Sequence, residues 1–264
     1  MMRFTDSHCH FDFPDFAADA SALLHACAQR GVSRLLVPGV SAAQWQRLSP
    51  WLAAWQQDCP VRVYGAFGLH PCYVQEHESE HLHQLPERLQ AAWVVAVGEI
   101  GLDGTQPDMP KQIRFLNAQL ALANNARLPV ILHQRQAHNE LIRALKHTPP
   151  IHGGVVHAFS GSLAMAQEYI ALGLKLGIGG VMTYPRAAKT RATVQALAAE
   201  HLLLETDGPD MPLFGYQGVR NSPVQVPNVF RALCALRGVT EVTSLAAQLE
   251  ANVDATFPRL TRRQ

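Results

Sequence analysis

Eight short apolar, β-branched runs recur along the chain, separated by longer stretches with helical spacing. The runs are RFTDSH at 3–8, SRLLVPGV at 33–40, VYGAFGLH at 63–70, VVAVGEIGL at 94–102, PVILH at 129–133, GGVVHAF at 153–159, LKLGIGG at 174–180 and HLLLETD at 201–207. Helical spacing is clearest at 19–31, 110–126 and 162–173. Gly31 and Gly173 stand where a helix would end before the next strand. Strand–helix alternation implies a parallel sheet with right-handed crossovers. Eight such units within 264 residues fit an α/β (β/α)8 TIM barrel, typically ~250 residues long. An open doubly wound sheet would carry a Gly-rich phosphate loop after its first strand. Here the first run leads into His-Cys-His instead. No linker divides the chain, so residues 1–264 read as a single domain.

Composition narrows the class. With 48% hydrophobic and 16% charged residues, the chain has enough apolar mass for a core and no long charge run. A formal net charge of +1 gives no global field for a polyanion, so any phosphate contact must come from a local patch. The five cysteines are odd in number and show no CxxC spacing, which suits reduced thiols. The opening MMRFTDSHCHFDF lacks an apolar signal-peptide core, and the apolar runs are strand-sized. These features predict a cytoplasmic protein without a membrane span.

Histidine is the unusual component, at 13 residues. A TIM barrel builds its site at the C-terminal ends of the strands. Here those ends carry His8 and His10, His70, Glu99, His133, His157 and Asp207. On a strand, residues i and i+2 share a face, so His8 and His10 aim two imidazoles into one mouth. An HxH pair alone equally suits surface histidines. Glu99 interrupts an apolar strand, where a carboxylate is costly unless paired or bound to a cation. A buried arginine pair is the plain alternative; Gly98 and Gly101 leave room beside it. Its two oxygens also suit a bridge between two cations. His133 and His157 close successive apolar runs, and Asp207 closes another. Asp207 alone would read as a helix cap. Glu205, two residues earlier, reads as a partner to the site or a group deeper in the mouth. Four imidazoles and two carboxylates predict two divalent metal ions, with Zn, Mg or Mn all compatible. The remaining histidines, including His25, His77, His81, His83, His147 and His201, read as solvated.

Six segments together resemble the TatD-related metal-dependent hydrolases. They are DSHCHFD at 6–12, GLHP at 68–71, GEIGLD at 98–103, ILHQR at 131–135, VVHAFSG at 155–161 and LLLETDGP at 202–209. TYPRAAKTR at 183–191 resembles one branch of that family. The resemblance runs from residue 3 to about residue 257. It implies a metal-dependent TIM barrel in which His8, His10, Glu99 and Asp207 bind one ion. Glu99, His133 and His157 would bind the second. It also implies deoxyribonuclease activity on DNA ends, with an aminoacyl-ester activity known for part of the family. One departure is Gly104, where the family carries an aromatic or hydrophobic residue.

The predicted reaction is phosphodiester hydrolysis of DNA or a similar substrate. Asp207 is the candidate proton acceptor and His70 the candidate contact to the phosphate or leaving group. Arg135, Arg186 and Arg220 are candidate phosphate-binding residues, with Lys189 and Arg191 nearby in sequence. Tyr184 and Tyr216 are candidate base-stacking residues; Phe159 reads as core. The Pro/Gly-rich stretch after the eighth strand reads as a lid. A serine hydrolase is disfavoured, because Ser160 lacks the GxSxG frame. Hydrolysis of a carboxylic ester or amide by the same metals is the second enzymatic reading. A non-catalytic metal-binding scaffold is the third.

Overall fold

A computed structural model describes residues 2–261; the first residue and 262–264, part of the predicted domain, lie outside the described residues. Among these, the eight apolar runs form β1 (Phe4–Asp6), β2 (Val32–Pro38), β3 (Arg62–Phe67), β4 (Val94–Asp103), β5 (Val130–Arg135), β6 (Gly154–Val156), β7 (Leu174–Ile178) and β8 (Leu202–Leu204). They make one parallel sheet in the order of the chain. The intervening helices include α1 (Ala20–Gln29), α2 (Ala42–Ala54), α3 (Ser79–Arg88), α4 (Met109–Ala126), α5 (His138–His147), α6 (Leu163–Ala171), α7 (Ala188–Ala196), α8 (Val226–Arg237) and α9 (Val242–Thr256). Gly31 and Gly173 follow α1 and α6 with φ of +84° and +78°, the left-handed backbone that ends a helix.

Side chains alternate across the sheet. Leu35 and Val37 of β2 face the helices, whereas Leu36 joins Ala66, Ala96, Ile131, Val155 and Leu203 in a separate interior cluster. Phe257 and Leu260, after α9, belong to that interior cluster. The seam between β8 and β1 closes beyond the regular strands. Ser7 N–H donates to Leu204 O at 3.0 Å, and Asp207 N–H donates to His8 O at 2.9 Å. Asp6, fully buried, accepts from the Thr206 hydroxyl at 2.6 Å and amide at 3.0 Å. Two polar segments are thereby fixed side by side at the C-terminal mouth.

Several strands are shorter than their sequence runs. β1 stops at Asp6, β3 at Phe67, β6 at Val156 and β8 at Leu204. His8, His10, His70, His157 and Asp207 therefore sit just past strand ends. Strand pleat therefore does not aim His8 and His10, which lie beyond the end of β1, contrary to the expectation from their i, i+2 spacing. Their placement comes from irregular backbone: His8 N–H donates to Asp6 Oδ1, Cys9 N–H to Leu36 O and His10 N–H to Gly208 O. Among the described residues, no helix is long and apolar enough to cross a membrane.

Candidate metal centre

Glu99 lies at the centre of the mouth, 1% exposed, with its two carboxylate oxygens divided between two sets of side chains. Oε2 is 3.2 Å from His8 Nε2 and 3.4 Å from His10 Nε2. Asp207 Oδ1 completes that set, 3.5 and 3.8 Å from the same two nitrogens. Oε1 is 2.7 Å from His157 Nε2, 3.1 Å from His133 Nδ1 and 2.9 Å from His70 Nε2. Among the described residues, His8–His10–Asp207 and His8–Glu99–His157 each bring their ligand atoms within 4.8 Å of one another.

These separations suit cations. Metal–ligand bonds of ~2.0–2.2 Å in tetrahedral array put neighbouring ligand atoms ~3.3–3.6 Å apart. Glu99 Oε2 is buried and has no hydrogen-bond partner, despite two imidazoles nearby. An unsatisfied buried carboxylate oxygen is costly and needs a reason. A bound cation supplies one. The residues present therefore fit the metals that the sequence predicts.

Electrostatics reinforce the pattern. Burial alone would raise the Glu99 pKa, but the imidazoles of His157, His70 and His8 hold it well below the usual carboxylate range. His157 is disfavoured as a cation by burial, yet Glu99 drives it up to about 10. His8 goes the other way, lowered by burial and by His157, whose ring stacks on its own with centroids 3.9 Å apart. Asp207 is raised, chiefly by burial. The centre is thus an ionised carboxylate within a ring of imidazole nitrogens.

Glycines set the backbone spacing. Gly101 has φ of +149°, and a Cβ there would lie 2.0 Å from His133 O. Only glycine lets β4 and β5 approach so closely, bringing Glu99 to His133. Gly104 is similar: its Cβ would meet Gln136 O at 2.5 Å. The glycine at this position therefore has a local packing reason.

Two supporting carboxylates extend the site. Asp103, four residues after Glu99 on β4, places Oδ2 3.2 Å from His133 Nε2. Its Oδ1 accepts from the Thr105 hydroxyl at 2.6 Å and amide at 2.8 Å. Burial opposes ionisation of Asp103, but the His133 and Thr105 hydrogen bonds lower its pKa strongly. Such carboxylate–histidine pairs orient a ligand ring and fix its tautomer. Sequence reasoning assigned Asp103 no role, although its place in the buried strand after Glu99 was the available signal. Glu205 is fully buried with Oε1 3.9 Å from His157 Nδ1, accepting from Ala158 N–H. Burial raises its pKa to about 8. It sits deeper in the mouth, one of the two predicted placements.

His70 is buried beside Glu99, and its Nδ1 accepts the Cys72 N–H at 3.0 Å. In neutral form its proton is therefore on Nε2, the nitrogen facing the centre. His77 departs from its predicted exposure. It is buried, 1% exposed, with Nε2 2.8 Å from His70 O, and its pKa falls to about 4 chiefly through burial. The reason is the short helical turn at 71–76, which folds back under the His70 backbone.

The predicted cations separate into two groups. Arg135, Arg186 and Lys189 line one cleft of about 660 Å³, with His138, Ser160 and Thr190. Arg135 is two residues beyond His133, so the cleft begins beside the centre. Arg191 instead donates to Met182 O. Arg220 does not line the cleft: its guanidinium pairs with Asp19 at 2.6 and 3.1 Å and lies over the Phe16 ring. Tyr184 lies under Arg186, 5.3 Å from guanidinium to ring centroid, and its hydroxyl donates to Pro212 O. Phe214 packs edge-on against Tyr184, and both Phe214 and Tyr216 are exposed. Phe159 is buried against Tyr169, as predicted.

A parallel eight-stranded barrel with histidine and carboxylate ligands at its C-terminal mouth defines the metal-dependent hydrolases of this fold. Comparison with known proteins gives the family. The model of the TatD related DNase family matches residues 5–258, and the chain belongs to that family. It is 47% identical over 239 residues to the uncharacterized metal-dependent hydrolase YjjV of Escherichia coli K12, covering 89% of this chain and 90% of that protein. It is 33% identical over 252 residues to the 3'-5' ssDNA/RNA exonuclease TatD of Erwinia amylovora, covering 92% and 95%. The crystal structure of the TatD homologue YjjV from Escherichia coli superposes with a TM-score of 0.90 at 44% identity, covering 97% and 98%. The chain is a metal-dependent hydrolase acting on ester bonds.

Proposed function

We propose that the chain is a binuclear phosphodiesterase that removes nucleotides from the end of single-stranded nucleic acid. The observation that carries this reading is the division of the two Glu99 oxygens between His8–His10–Asp207 and His133–His157. A carboxylate with its oxygens so divided could hold two cations, one with His8, His10 and Asp207 and one with His133 and His157. When bound there, the two divalent ions supply Lewis acidity, acidifying water and offsetting charge on the attacked phosphate.

The protein groups supply the rest. Asp207 stands at the exposed side of its set and accepts a proton from the attacking water. His70 directs its Nε2–H at the centre and hydrogen-bonds the departing oxygen. Arg135, Arg186 and Lys189 bind phosphates in the neighbouring cleft. The exposed rings of Phe214 and Tyr216 offer stacking faces to unpaired bases. Five free thiols suit a reducing, cytoplasmic setting. The name of the Erwinia relative supports the polarity and the substrate class.

Metal-free protein reconstituted with single metals tests the reading. Single-stranded DNA and a chromogenic phosphodiester are expected to be hydrolysed only with metal. Turnover confined to an aminoacyl ester would replace phosphodiesterase with esterase.

Two variants test the substrate cleft and the support of the metal centre separately. Arg135→Ala with Arg186→Ala is expected to raise KM for single-stranded DNA and flatten its salt dependence by about two phosphate contacts' worth, a log–log slope change of roughly 1.4. Turnover of a small chromogenic diester should stay unchanged. Asp103→Ala is expected to weaken metal affinity about 10–100-fold by freeing the His133 ring. Chelator competition measures it; unaltered affinity would assign Asp103 no part in holding His133.

A further inference from the structure

Cys72 stands beside the metal centre without belonging to either half of it. Its Sγ is 3.7 Å from Asp103 Oδ2, which is itself 3.2 Å from His133 Nε2. His70, Cys72 and His133 bring one ligand atom each within 4.8 Å of the other two. Cys72 is exposed, His70 is 7% exposed and Asp103 is fully buried. The cluster is therefore anchored below and open to solvent above.

We infer that Cys72 and Asp103, with the Nδ1 lone pair of His70, form a third metal position of softer character on the rim of the binuclear centre. It would take a borderline or soft divalent ion such as zinc, cobalt or cadmium. Thiolates favour such ions, whereas the inner centre offers only nitrogen and oxygen. The geometry agrees: with Zn–S of ~2.3 Å and Zn–O of ~2.0–2.2 Å, sulfur and oxygen ligands lie ~3.5–3.7 Å apart in tetrahedral array. Binding replaces the Sγ–H proton, which leaves to solvent, and forms one metal–sulfur bond without any redox change.

Occupancy has a consequence for the inner centre. Asp103 Oδ2 is the atom that faces His133 Nε2. An ion that takes this oxygen removes the acceptor that orients His133. The third position is therefore inhibitory: excess soft metal slows the enzyme that two ions activate. This consequence rests on the binuclear reading, but the existence of the site does not.

Titration of the metal-free protein with cobalt(II) tests the site directly. The wild type is expected to bind three equivalents, with a near-ultraviolet thiolate-to-cobalt charge-transfer band appearing only with the third. Cys72→Ser should bind two and show no such band. A wild type that saturates without a thiolate band overturns the proposal, as does a band that survives in Cys72→Ser. A band complete at the second equivalent would put Cys72 inside the inner pair and equally overturn a separate position. Loss of the first two equivalents would refute the binuclear centre instead, so the two failures are distinguishable. As a second readout, excess zinc is expected to inhibit the wild type at least tenfold more strongly than Cys72→Ser; equal inhibition would remove the regulatory role.

Discussion

Glu99→Ala is expected to abolish binding of two tight metals and lower turnover by on the order of 10³-fold or more, because several kcal/mol of charge stabilisation depend on the ions. Both halves of the centre meet at this one carboxylate. Oε2 faces His8 and His10, and Oε1 faces His133 and His157. Without it, His8, His10 and Asp207 would hold one ion only weakly, and a second ion would keep only the imidazoles of His133 and His157. Glu99→Gln offers a control of equal shape. It preserves the shape and burial of the side chain but removes the charge that the imidazoles hold in place. Metal counting by mass spectrometry of the desalted protein, beside turnover of a chromogenic diester, checks both variants. Two tight ions retained by Glu99→Ala would refute the bridge.

Asp207→Asn is expected to lower turnover by about 10²–10⁴-fold, the range for loss of a positioned proton acceptor. Backbone strain does not complicate this variant. Asp207 has φ of +58°, a left-handed conformation that asparagine tolerates well. The amide side chain would keep an oxygen for the His8–His10 set but would lose the ability to accept a proton as carboxylate. The second half, around His133 and His157, is untouched. The expected signature is therefore a fall in kcat with at least one metal retained and KM changed little. A variant that loses both ions and activity together would assign Asp207 to ligation alone.

The barrel was legible because its evidence is periodic. Apolar runs such as VVAVGEIGL and LKLGIGG alternate with helical stretches, and Gly31 and Gly173 mark helix ends that the left-handed φ values bear out. The polar residues at the mouth stood out for the same reason: Glu99 and His133 interrupt runs that should otherwise be apolar. Strand ends were harder to read, because the chain leaves the sheet before the site is reached. His8 and His10 converge because Cys9 N–H donates to Leu36 O and His10 N–H to Gly208 O, contacts remote in sequence.

Pairings over distance were not legible at all. Asp103 meets His133 across adjacent strands, and Arg220 is drawn to Asp19, 201 residues away in the chain. The sequence places both Arg220 and Arg186 after late strands and offers no means to tell them apart. Only the fold shows one neutralised by a carboxylate and the other beside the cleft of Arg135 and Lys189. The burial of His77 is hidden from the sequence for a related reason: it depends on how the turn at 71–76 folds beneath His70.

Anomalous diffraction from crystals grown with manganese or zinc would show directly whether Glu99 joins two metal sites. Two anomalous peaks ~3.5–4 Å apart are expected, one on each side of the Glu99 carboxylate. One peak should lie against His8, His10 and Asp207, and the other against His133 and His157. A single peak at saturating metal, or two peaks not sharing Glu99, would contradict the bridge.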